Sequence, residues 1–367
     1  MGPLKVVLAI HDLGAGGAER VLSGLAAHLQ QGGHEVGVLT LAAGEDFYPL
    51  AEDIRRLQLE EHASGGSVVG ALLANGSRVR RMREAIRRVD ADVVVSFMTT
   101  TNVLTVLATR GLRCAVVVSE RTWPPAMPLG RAWGNLRRIT YPWADRLVVL
   151  TQRTRDWAVG ALAMDERMID VIANPVQLPL PAHAPVVEPP THEFLLAVGR
   201  LGPEKDFASL IDAYTQAGIA IPLVILGEGP QRAMLTARAD RLGIRLELPG
   251  RVGNLADWYQ GARALVLTSR FEGFPNVLIE AMSHGCPVVS VDCEVGPREI
   301  VRDGVDGLLV PPADPDALSS AISAIVNDDT LHRRLSSESG KIEQRFSAQA
   351  VFGAWELTLE RAWSGSG

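Results

Sequence analysis

Charged side chains in the second half of the chain stand at spacings that suit the binding of anions. Arg200 and Lys205 lie five positions apart, directly after the apolar run Phe194–Val198. Arginine can grip phosphate oxygens with its forked guanidinium and lysine supplies a compact charge, so together they can neutralise a diphosphate. The alternative is a pair of solvated surface charges. Parallel sheets bind ligands at the carboxyl ends of their strands, which is where this pair is expected.

Two glutamates occur in a segment that begins as a loop and continues as a helix. Residues 271–280 read FEGFPNVLIE, and Pro275 suits a first helical turn. Glu272 would then lie in the loop and Glu280 about one turn inside the helix, so that one carboxylate can meet sugar hydroxyls and the other a ribose. The alternative is a carboxylate favoured by the helix dipole and an ordinary helical glutamate.

A glycine-rich loop follows the first apolar run, Lys5–Ile10. Residues 14–20 read GAGGAER and open a helix, whose free N–H groups can face an anion. The loop nearly matches a dinucleotide-binding fingerprint, but Glu19 stands where the third glycine should allow helix and strand to touch. A tight turn without a ligand remains the alternative.

Metal binding is not expected. Asp90 and Asp92 precede a buried strand, and Asp314 and Asp316 open a helix, so both Asp-x-Asp pairs are interpreted as structural. The three cysteines contain no Cys-x-x-Cys pair, which supports neither a zinc knuckle nor a disulfide framework and fits a reducing cytosol best.

Composition excludes several classes of protein. The chain has 367 residues, enough for about two domains, and it is 47% hydrophobic, which argues against disorder. A net charge of -6 argues against a nucleic-acid coat. The apolar stretch 93–108 is interrupted by serine, threonines and asparagine, so no transmembrane helix is expected. The first residues are too weakly apolar for a signal peptide.

Short runs rich in β-branched residues alternate with longer helical patterns, which predicts buried parallel strands in an α/β fold. The predicted strands are Lys5–Ile10, Val36–Leu41, Asp92–Phe97, Ala115–Ser119, Arg146–Leu150, Phe194–Val198, Leu223–Leu226, Ala264–Thr268, Pro287–Val291 and Gly307–Val310. Six prolines between 174 and 192 predict a linker there. We therefore expect two doubly wound domains, residues 1–180 and 190–345, and a last helix at 346–363 that packs back on the first domain.

The combination of these motifs resembles glycosyltransferase family 4 of the GT-B superfamily. The arginine and lysine, the two glutamates, Gly227-Glu228-Gly229, Gly250-Arg251-Val252 and the opening GGAER are typical of that family. Residues 44–48, 96–102 and 137–142 are similar to the branch that adds N-acetylhexosamines to lipid-linked and capsular glycans. The resemblance extends over nearly the whole chain.

This resemblance implies two Rossmann-like domains facing each other across a cleft and a retaining transferase that uses a UDP-sugar without metal or other cofactor. Arg200 and Lys205 would hold the diphosphate, Glu280 would bind the ribose and Glu272 would bind the donor sugar. The expected catalytic residues are Arg200, Lys205 and Glu272. The expected donor-binding positions are Gly16, Gly17, Gly199, Arg200, Lys205, Gly227, Arg251, Val252, Phe274, Pro275, Asn276, Val277 and Glu280.

The acceptor side departs from the family pattern. Many relatives have a histidine where this chain has Arg121, beside Glu120. Arg121 could bind an acidic or phosphorylated acceptor, or it could form a salt bridge with Glu120 or Glu19. Donor and acceptor identity, linkage and oligomeric state stay open.

Basic stretches in the first half suggest a membrane-facing acceptor site. Residues 78–90 and 131–155 each contain six arginines, with Arg78 and Arg81 among them and Trp133 and Trp143 nearby. This mixture suits an anionic lipid surface or a lipid diphosphate at the cytoplasmic membrane face, and a solvated basic face is the alternative. The remaining alternatives are a transferase acting on a soluble natural product and a non-catalytic nucleotide-sugar sensor.

Overall fold

Parallel β-sheets form the centre of both halves of the protein in this computed structural model, which describes residues 2–14, 16–42, 44, 46–59, 68–180 and 182–365. The chain divides into two units: residues 1–175 together with 348–367 form unit 1, and residues 176–347 form unit 2. The division falls inside the segment 174–192 that the prolines mark as a linker. Ala15, Glu45 and Pro181 of the segments discussed above lie outside the described residues.

Unit 1 is built on a parallel sheet with the order β3-β2-β1-β4-β5-β6-β7. Its described strands are β1 (Lys5–Ile10), β2 (Glu35–Thr40), β3 (Arg55–Gln58), β4 (Val93–Phe97), β5 (Ala115–Ser119), β6 (Arg146–Val149) and β7 (Ile169–Val171). Its helices are α1 (Gly17–Gln31), α2 (Val68–Val89), α3 (Thr99–Thr109), α4 (Gly130–Thr140), α5 (Gln152–Leu162) and, near the end of the chain, α14 (Ala348–Gly365). The strand order reverses between β1 and β4.

Unit 2 repeats the architecture with the strand order β10-β9-β8-β11-β12-β13, again parallel. Its described strands are β8 (Leu195–Val198), β9 (Leu223–Leu226), β10 (Leu246–Gly250), β11 (Ala264–Leu267), β12 (Val288–Val291) and β13 (Gly307–Val310). Its helices are α6 (Phe207–Ala217), α7 (Arg232–Leu242), α8 (Leu255–Gly261), α9 (Asn276–Ser283), α10 (Pro297–Ile300), α11 (Pro315–Asn327), α12 (Asp329–Ser339) and α13 (Ile342–Phe346). The order reverses between β8 and β11.

The core of unit 1 includes residues from both ends of the unit's sequence. Leu8 of β1 and Leu25 of α1 belong to the same buried cluster as Trp355 and Leu359 of α14. The ring of Trp355 stacks on Phe97 at the end of β4, with 5.5 Å between ring centroids. Helix α14 therefore completes the first sheet's hydrophobic cover although it follows unit 2 in the chain.

The predicted fold class, two doubly wound parallel sheets, is confirmed, and every predicted strand is present with its ends within one residue. The patterns did not predict β3, β7 and β10. β3 reads RRLQ, β7 has three residues and β10 ends in Pro-Gly, so none offers the long apolar run of a central strand. All three lie at sheet edges. Within the part of the chain that the structure describes, no helix is long and apolar enough to cross a membrane.

Candidate functional site

The sheet of unit 2 brings the two predicted charged pairs to one place. β8 and β11 are neighbours although three helices and two strands separate them in sequence, because the strand order reverses between them. Arg200 lies two residues after β8, and Glu272 lies in the loop after β11. A crevice opens at the carboxyl ends of strands where an α/β sheet reverses its order, and ligands bind there.

Lys205 and Glu272 form an ion pair at this reversal point. The Lys205 Nζ lies 2.6 Å from Glu272 Oε1, and their side chains keep 20% and 13% of their exposure. The aliphatic stem of Lys205 crosses Gly199, where an added Cβ would lie 3.2 Å from Cε. Thr268 Oγ1 at the end of β11 donates a hydrogen bond to the Lys205 carbonyl at 2.8 Å. The lysine is thus fixed to both strand ends, whereas Arg200 is exposed.

Gly227 allows the loops after β8 and β9 to touch. Its φ is +135°, and a Cβ there would lie 2.0 Å from the Gly199 carbonyl oxygen. Its N–H donates to the Gly250 carbonyl at 2.7 Å, which ties the end of β10 to the same edge. Arg251, exposed, and Val252, half-buried, follow directly. The glycines thus hold three strand ends close together.

Glu280 lies one turn inside α9, as predicted, and is almost buried at 7% exposure. The Tyr259 hydroxyl donates a hydrogen bond to Glu280 Oε2 at 3.0 Å. Pro275 precedes the helix as its N-cap residue, so the prediction that it lies in the first turn was wrong by one position. Its extended ψ of 99° leaves Asn276 as the first helical residue.

The rest of the predicted donor segment packs against neighbouring loops. Phe274 is buried and its ring contacts Phe346 edge-on at 5.5 Å, while Asn276 and Val277 are half-buried. Gly296, with φ +104°, lies so close that a Cβ would approach Pro275 Cδ to 2.8 Å. Burial and the charge of Glu272 raise the pKa of the nearby Cys293 thiol to about 12, so this thiol is protonated at neutral pH.

In unit 1 the strand order reverses next to β1, and the glycine loop that follows β1 is covered by the side chain of Glu19. Gly16 is the extended N-cap of α1 and Gly17 its first residue. A Cβ on Gly16 would lie 2.0 Å from Glu19 Oε2, so the carboxylate of Glu19 covers the loop. Burial, together with the charge of Asp12, raises the pKa of Glu19 above its ordinary value, against the opposing effects of a backbone hydrogen bond and Arg121.

Glu120, directly after β5, is fully buried and well supplied with hydrogen bonds. Thr99 Oγ1 and the Tyr141 hydroxyl donate to Oε2 at 2.8 and 2.9 Å, and Thr122 Oγ1 donates to Oε1 at 3.2 Å. The Arg137 guanidinium lies 3.8 Å from Oε2. Burial and the charge of Glu120 raise the pKa of Tyr141, which therefore keeps its proton. These hydrogen bonds hold the Glu120 side chain in one orientation.

Arg121 is buried at 7% exposure without a salt bridge. Its Nη1 donates to Ser119 Oγ at 3.4 Å, its Nη2 donates to Asn174 Oδ1, and the guanidinium carbon lies 5.2 Å from the Phe97 ring centroid. No carboxylate of the described residues lies within 4 Å of it, so the expected alternative of a salt bridge to Glu120 or Glu19 was wrong. Burial lowers the pKa of Arg121 to about 9.

Arg78 and Arg81 lie on α2, whereas Glu120 and Arg121 follow β5. On α2, Arg78 Nη1 donates to Asn75 Oδ1 at 2.9 Å. Arg81 lines a depression of about 420 Å³ with three further arginines on β3 and α2, and neither Glu120 nor Arg121 lines it. The predicted acceptor residues therefore come from two different elements of unit 1.

Helix α4 and its flanks present apolar side chains to solvent. Within α4 only Thr140 is buried, and Arg131 and Arg138 are exposed on the same helix. The exposed apolar side chains of this surface, which we call the α4 patch, are Met127, Leu129, Leu136, Ile139 and Trp143. Arg110 lies over the ring of Trp143 at 4.9 Å. An apolar patch bordered by arginines is typical of an interaction surface.

Both Asp-x-Asp pairs have structural partners. Asp92 Oδ2 accepts a hydrogen bond from the Lys5 N–H at 2.8 Å, and Asp90 lies 3.3 Å from the Lys5 ammonium. Asp314 caps α11 through the Ala317 N–H, and Asp316 accepts from Gln216. Among the described residues, no group of three histidines, cysteines or carboxylates is placed to hold a metal ion.

Several side chains that support the site were not predicted. Tyr259, Asn174 and Phe97 contact Glu280 or Arg121 from elements distant in sequence. Thr99 and Tyr141 occur in segments 96–102 and 137–142, whose family likeness was the only signal in the sequence that could have found them.

Two family models together match nearly the whole chain. The model described as Glycosyltransferase Family 4 matches residues 15–179, and the model described as Glycosyl transferases group 1 matches residues 182–341. The first lies almost entirely in unit 1 and the second in unit 2.

Two proteins of Campylobacter jejuni are similar over most of both chains. One is named GalNAc-alpha-(1->4)-GalNAc-alpha-(1->3)-diNAcBac-PP-undecaprenol alpha-1,4-N-acetyl-D-galactosaminyltransferase; it is 28% identical, over 90% of this chain and 91% of that protein. The other is named N-acetylgalactosamine-N,N'-diacetylbacillosaminyl-diphospho-undecaprenol 4-alpha-N-acetylgalactosaminyltransferase; it is 26% identical, over 90% of this chain and 92% of that protein.

A solved structure shares the fold along nearly the whole chain. The Anabaena protein Alr3699/HepE, crystallised in complex with UDP, superposes with a TM-score of 0.80 at 19% identity, covering 97% of this chain and all of that protein.

Proposed function

We propose that this chain, which belongs to glycosyltransferase family 4 and is a GT-B glycosyltransferase, transfers an N-acetylhexosamine or hexose from a UDP-sugar to a glycan or a polyprenyl-diphosphate-linked acceptor. The observation that carries the donor half of this proposal is the Lys205–Glu272 ion pair at the point where the second sheet reverses its strand order. The C. jejuni relatives, whose names specify undecaprenol-linked acceptors, support the acceptor half.

In this proposal unit 2 binds the donor. Arg200 and Lys205 hold the diphosphate, Glu272 accepts hydrogen bonds from the sugar, and Glu280, oriented by Tyr259, binds the ribose. Backbone groups at Arg251 and Val252 meet the base. The two cations supply charge that a divalent metal supplies in other transferases, so we propose that the reaction needs no metal.

The proposed chemistry retains configuration. The bond from the sugar's C1 to the diphosphate oxygen breaks, the acceptor oxygen bonds to C1 on the same face, and the acceptor's proton passes to the leaving phosphate oxygen. The protein's main contribution is to stabilise the negative charge that develops on the diphosphate, which Lys205 does from a fixed position and Arg200 from the exposed loop after β8. The step needs no protein nucleophile.

The α4 patch fits the membrane side of this proposal. Polyprenyl-linked acceptors are embedded in a membrane, and exposed apolar side chains beside Arg131 and Arg138 can enter the headgroup region of an anionic bilayer. We propose that unit 1 associates peripherally with that surface.

A thermal-shift panel of UDP, GDP, ADP and TDP with their sugars, with and without Mg²⁺ and EDTA, tests the donor assignment. We expect stabilisation by uridine compounds alone, about 2.7 kcal/mol at a hundred times the dissociation constant, and no effect of EDTA. Donor hydrolysis and transfer are then measured for each hit. Tight UDP binding without turnover of any donor would favour a non-catalytic sensor, and the absence of any nucleotide shift would remove the donor site.

Variants of the ion pair test the catalytic assignment. Lys205→Ala and Glu272→Ala should each lower the transfer rate roughly a hundred- to thousand-fold, because a charge that faces the diphosphate or sugar is lost. Arg238→Ala is the matched control, since it removes a cation whose ion-pair partner is Asp212 on α6 and not Glu272. Full activity of both site variants with normal folding would contradict the proposal.

A further inference from the structure

Arg121 differs from the other deeply placed arginines of the described chain. Arg263, the other buried arginine, lies 2.5 Å from Asp329, and the nearly buried Arg146 lies 2.8 Å from Asp170. Arg137 lies 3.8 Å from Glu120. Arg121 alone in this group has no carboxylate within 4 Å, because its hydrogen-bond partners are the neutral oxygens of Ser119 and Asn174.

An unpaired buried cation is costly to the folded state. Removing a guanidinium from water carries a penalty of several kcal/mol, which neutral acceptors and an aromatic face offset only in part. Arg121 also keeps an unused donor, since its buried Nε–H has no hydrogen-bond partner. A guanidinium with a spare donor and no ion-pair partner is suited to receive an anion.

Arg121 lies at the carboxyl edge of the sheet of unit 1, which is the edge where parallel sheets bind ligands. Arg121 is the second residue after β5, a strand two positions from β1, and the carboxyl end of β1 leads into the Gly16–Gly17 loop. Glu19, which covers that loop, and Glu120 both act electrostatically on Arg121, yet neither forms an ion pair with it. Glu19 and Asp12 are only partly buried, so the loop after β1 is in contact with solvent whereas Arg121 is buried.

We propose that Arg121 is the specificity-determining anion-binding residue of unit 1, and that the molecule bound there carries a carboxylate or phosphate group. This inference rests on the proposed function, since it specifies the chemical class of that reaction's substrate. The shared chemistry is an oxyanion, supplied either by an acidic sugar or by the phosphates of the lipid-linked acceptor. Its oxygens accept hydrogen bonds from the guanidinium and form the close ion pair that Arg121 lacks among the described residues.

The experiment measures anion binding without requiring transfer. In a variant with Arg200→Ala and Lys205→Ala, which lacks the proposed diphosphate cations of unit 2, thermal shifts are recorded with inorganic pyrophosphate and with methyl glucuronide at matched ionic strength. Neutral methyl glucoside is the ligand control. We expect at least one anion to stabilise the protein, and addition of Arg121→Gln to weaken that binding by about tenfold or more.

The two anions distinguish the two possible sources of the bound oxyanion, a phosphorylated acceptor and an acidic sugar. A shift with pyrophosphate supports a phosphorylated acceptor, and a shift with the glucuronide supports an acidic sugar. Arg121→Lys keeps the charge without the fork and should bind with intermediate affinity, which keeps the test valid if the glutamine variant does not fold. Arg167→Gln, which removes an exposed arginine paired with Asp165, is the matched protein control.

Two outcomes would overturn the inference: no anion stabilises the Arg200/Lys205 variant, or the Arg121→Gln and Arg121→Lys variants bind the anion as tightly as their parent. Failure of the proposed function would look different, since it would appear as the loss of the uridine-specific shift in the unmodified chain.

Discussion

Glu19 occupies surroundings that disfavour its charge. Burial and the nearby Asp12 raise its pKa, so the folded protein holds a proton on this group at pH values where the unfolded chain has released it. Folding stability therefore falls as pH rises from the unfolded value of 4.5 through the folded pKa. The folded protein, in which Glu19 covers the Gly16 loop, is thus more stable when this glutamate is protonated.

Replacement of Glu19 by glutamine should remove this pH dependence. We expect Glu19→Gln to gain stability relative to the unmodified protein between about pH 5 and pH 8, measured by urea unfolding at both values. In an Asp12→Asn background the gain should be smaller, because the Asp12 charge is one cause of the raised pKa. A difference that stays constant with pH would contradict this account.

For single residues, the sequence predicted the positions of the charged site residues better than the side chains that contact them. Arg200, Lys205 and Glu272 could be identified because each follows a recognisable strand, and parallel strands bring their carboxyl ends to one edge. The hydrogen bonds of Tyr259 to Glu280 and of Arg121 to Asn174 could not be predicted, because their partners lie 21 and 53 residues apart in the sequence. Pair contacts of this kind depend on packing that no local pattern contains.

Among the helices and strands, α4 is unusual because its sequence pattern predicts a buried apolar face and the structure leaves that face exposed. Its leucine and isoleucine have the spacing of a core-facing stripe, yet Leu136 and Ile139 are exposed at 36% and 54%. Elsewhere the agreement is close, since apolar runs predicted all the central strands and failed only for edge strands with polar or short sequences.

Ile139→Glu should weaken membrane association. We expect the unmodified protein to float with vesicles containing anionic lipid and to float less with zwitterionic vesicles or at high salt. A charge in the centre of the α4 patch should abolish flotation, because a carboxylate resists burial and repels anionic headgroups. The matched control is Leu357→Glu, which alters an equally exposed leucine on α14. Equal loss in both variants would argue against a specific patch.

On the scale of the whole molecule, Trp355 shows that unit 1 is discontinuous in sequence. This fully buried ring stacks on Phe97, which lies more than 250 residues earlier in the chain and whose guanidinium neighbour is Arg121. Trp355→Ala should lower the free energy of unfolding by about 3–5 kcal/mol, the usual cost of truncating a buried tryptophan.

The loss of stability caused by Trp355→Ala should be confined to unit 1. Hydrogen exchange followed by mass spectrometry should show faster exchange in β1 and β4 of Trp355→Ala and unchanged exchange in β8 and β11, because the ring packs only in the core of unit 1. Leu357→Ala, an exposed position on the same helix, is the control. Equal acceleration in both sheets would mean that the two units unfold together.

The return of α14 to the first sheet also fixes an order of events during synthesis. Unit 2 is continuous in sequence, whereas unit 1 lacks its last core residues until the segment that begins at Ala348 has been made. At ribosomal speeds of about 5–20 residues per second, this delay lasts about 10–35 s. During that time the nascent chain exposes the apolar side chains that Trp355 and Leu359 later cover, so the first half made is the last to be completed, and it is the half most in need of a chaperone.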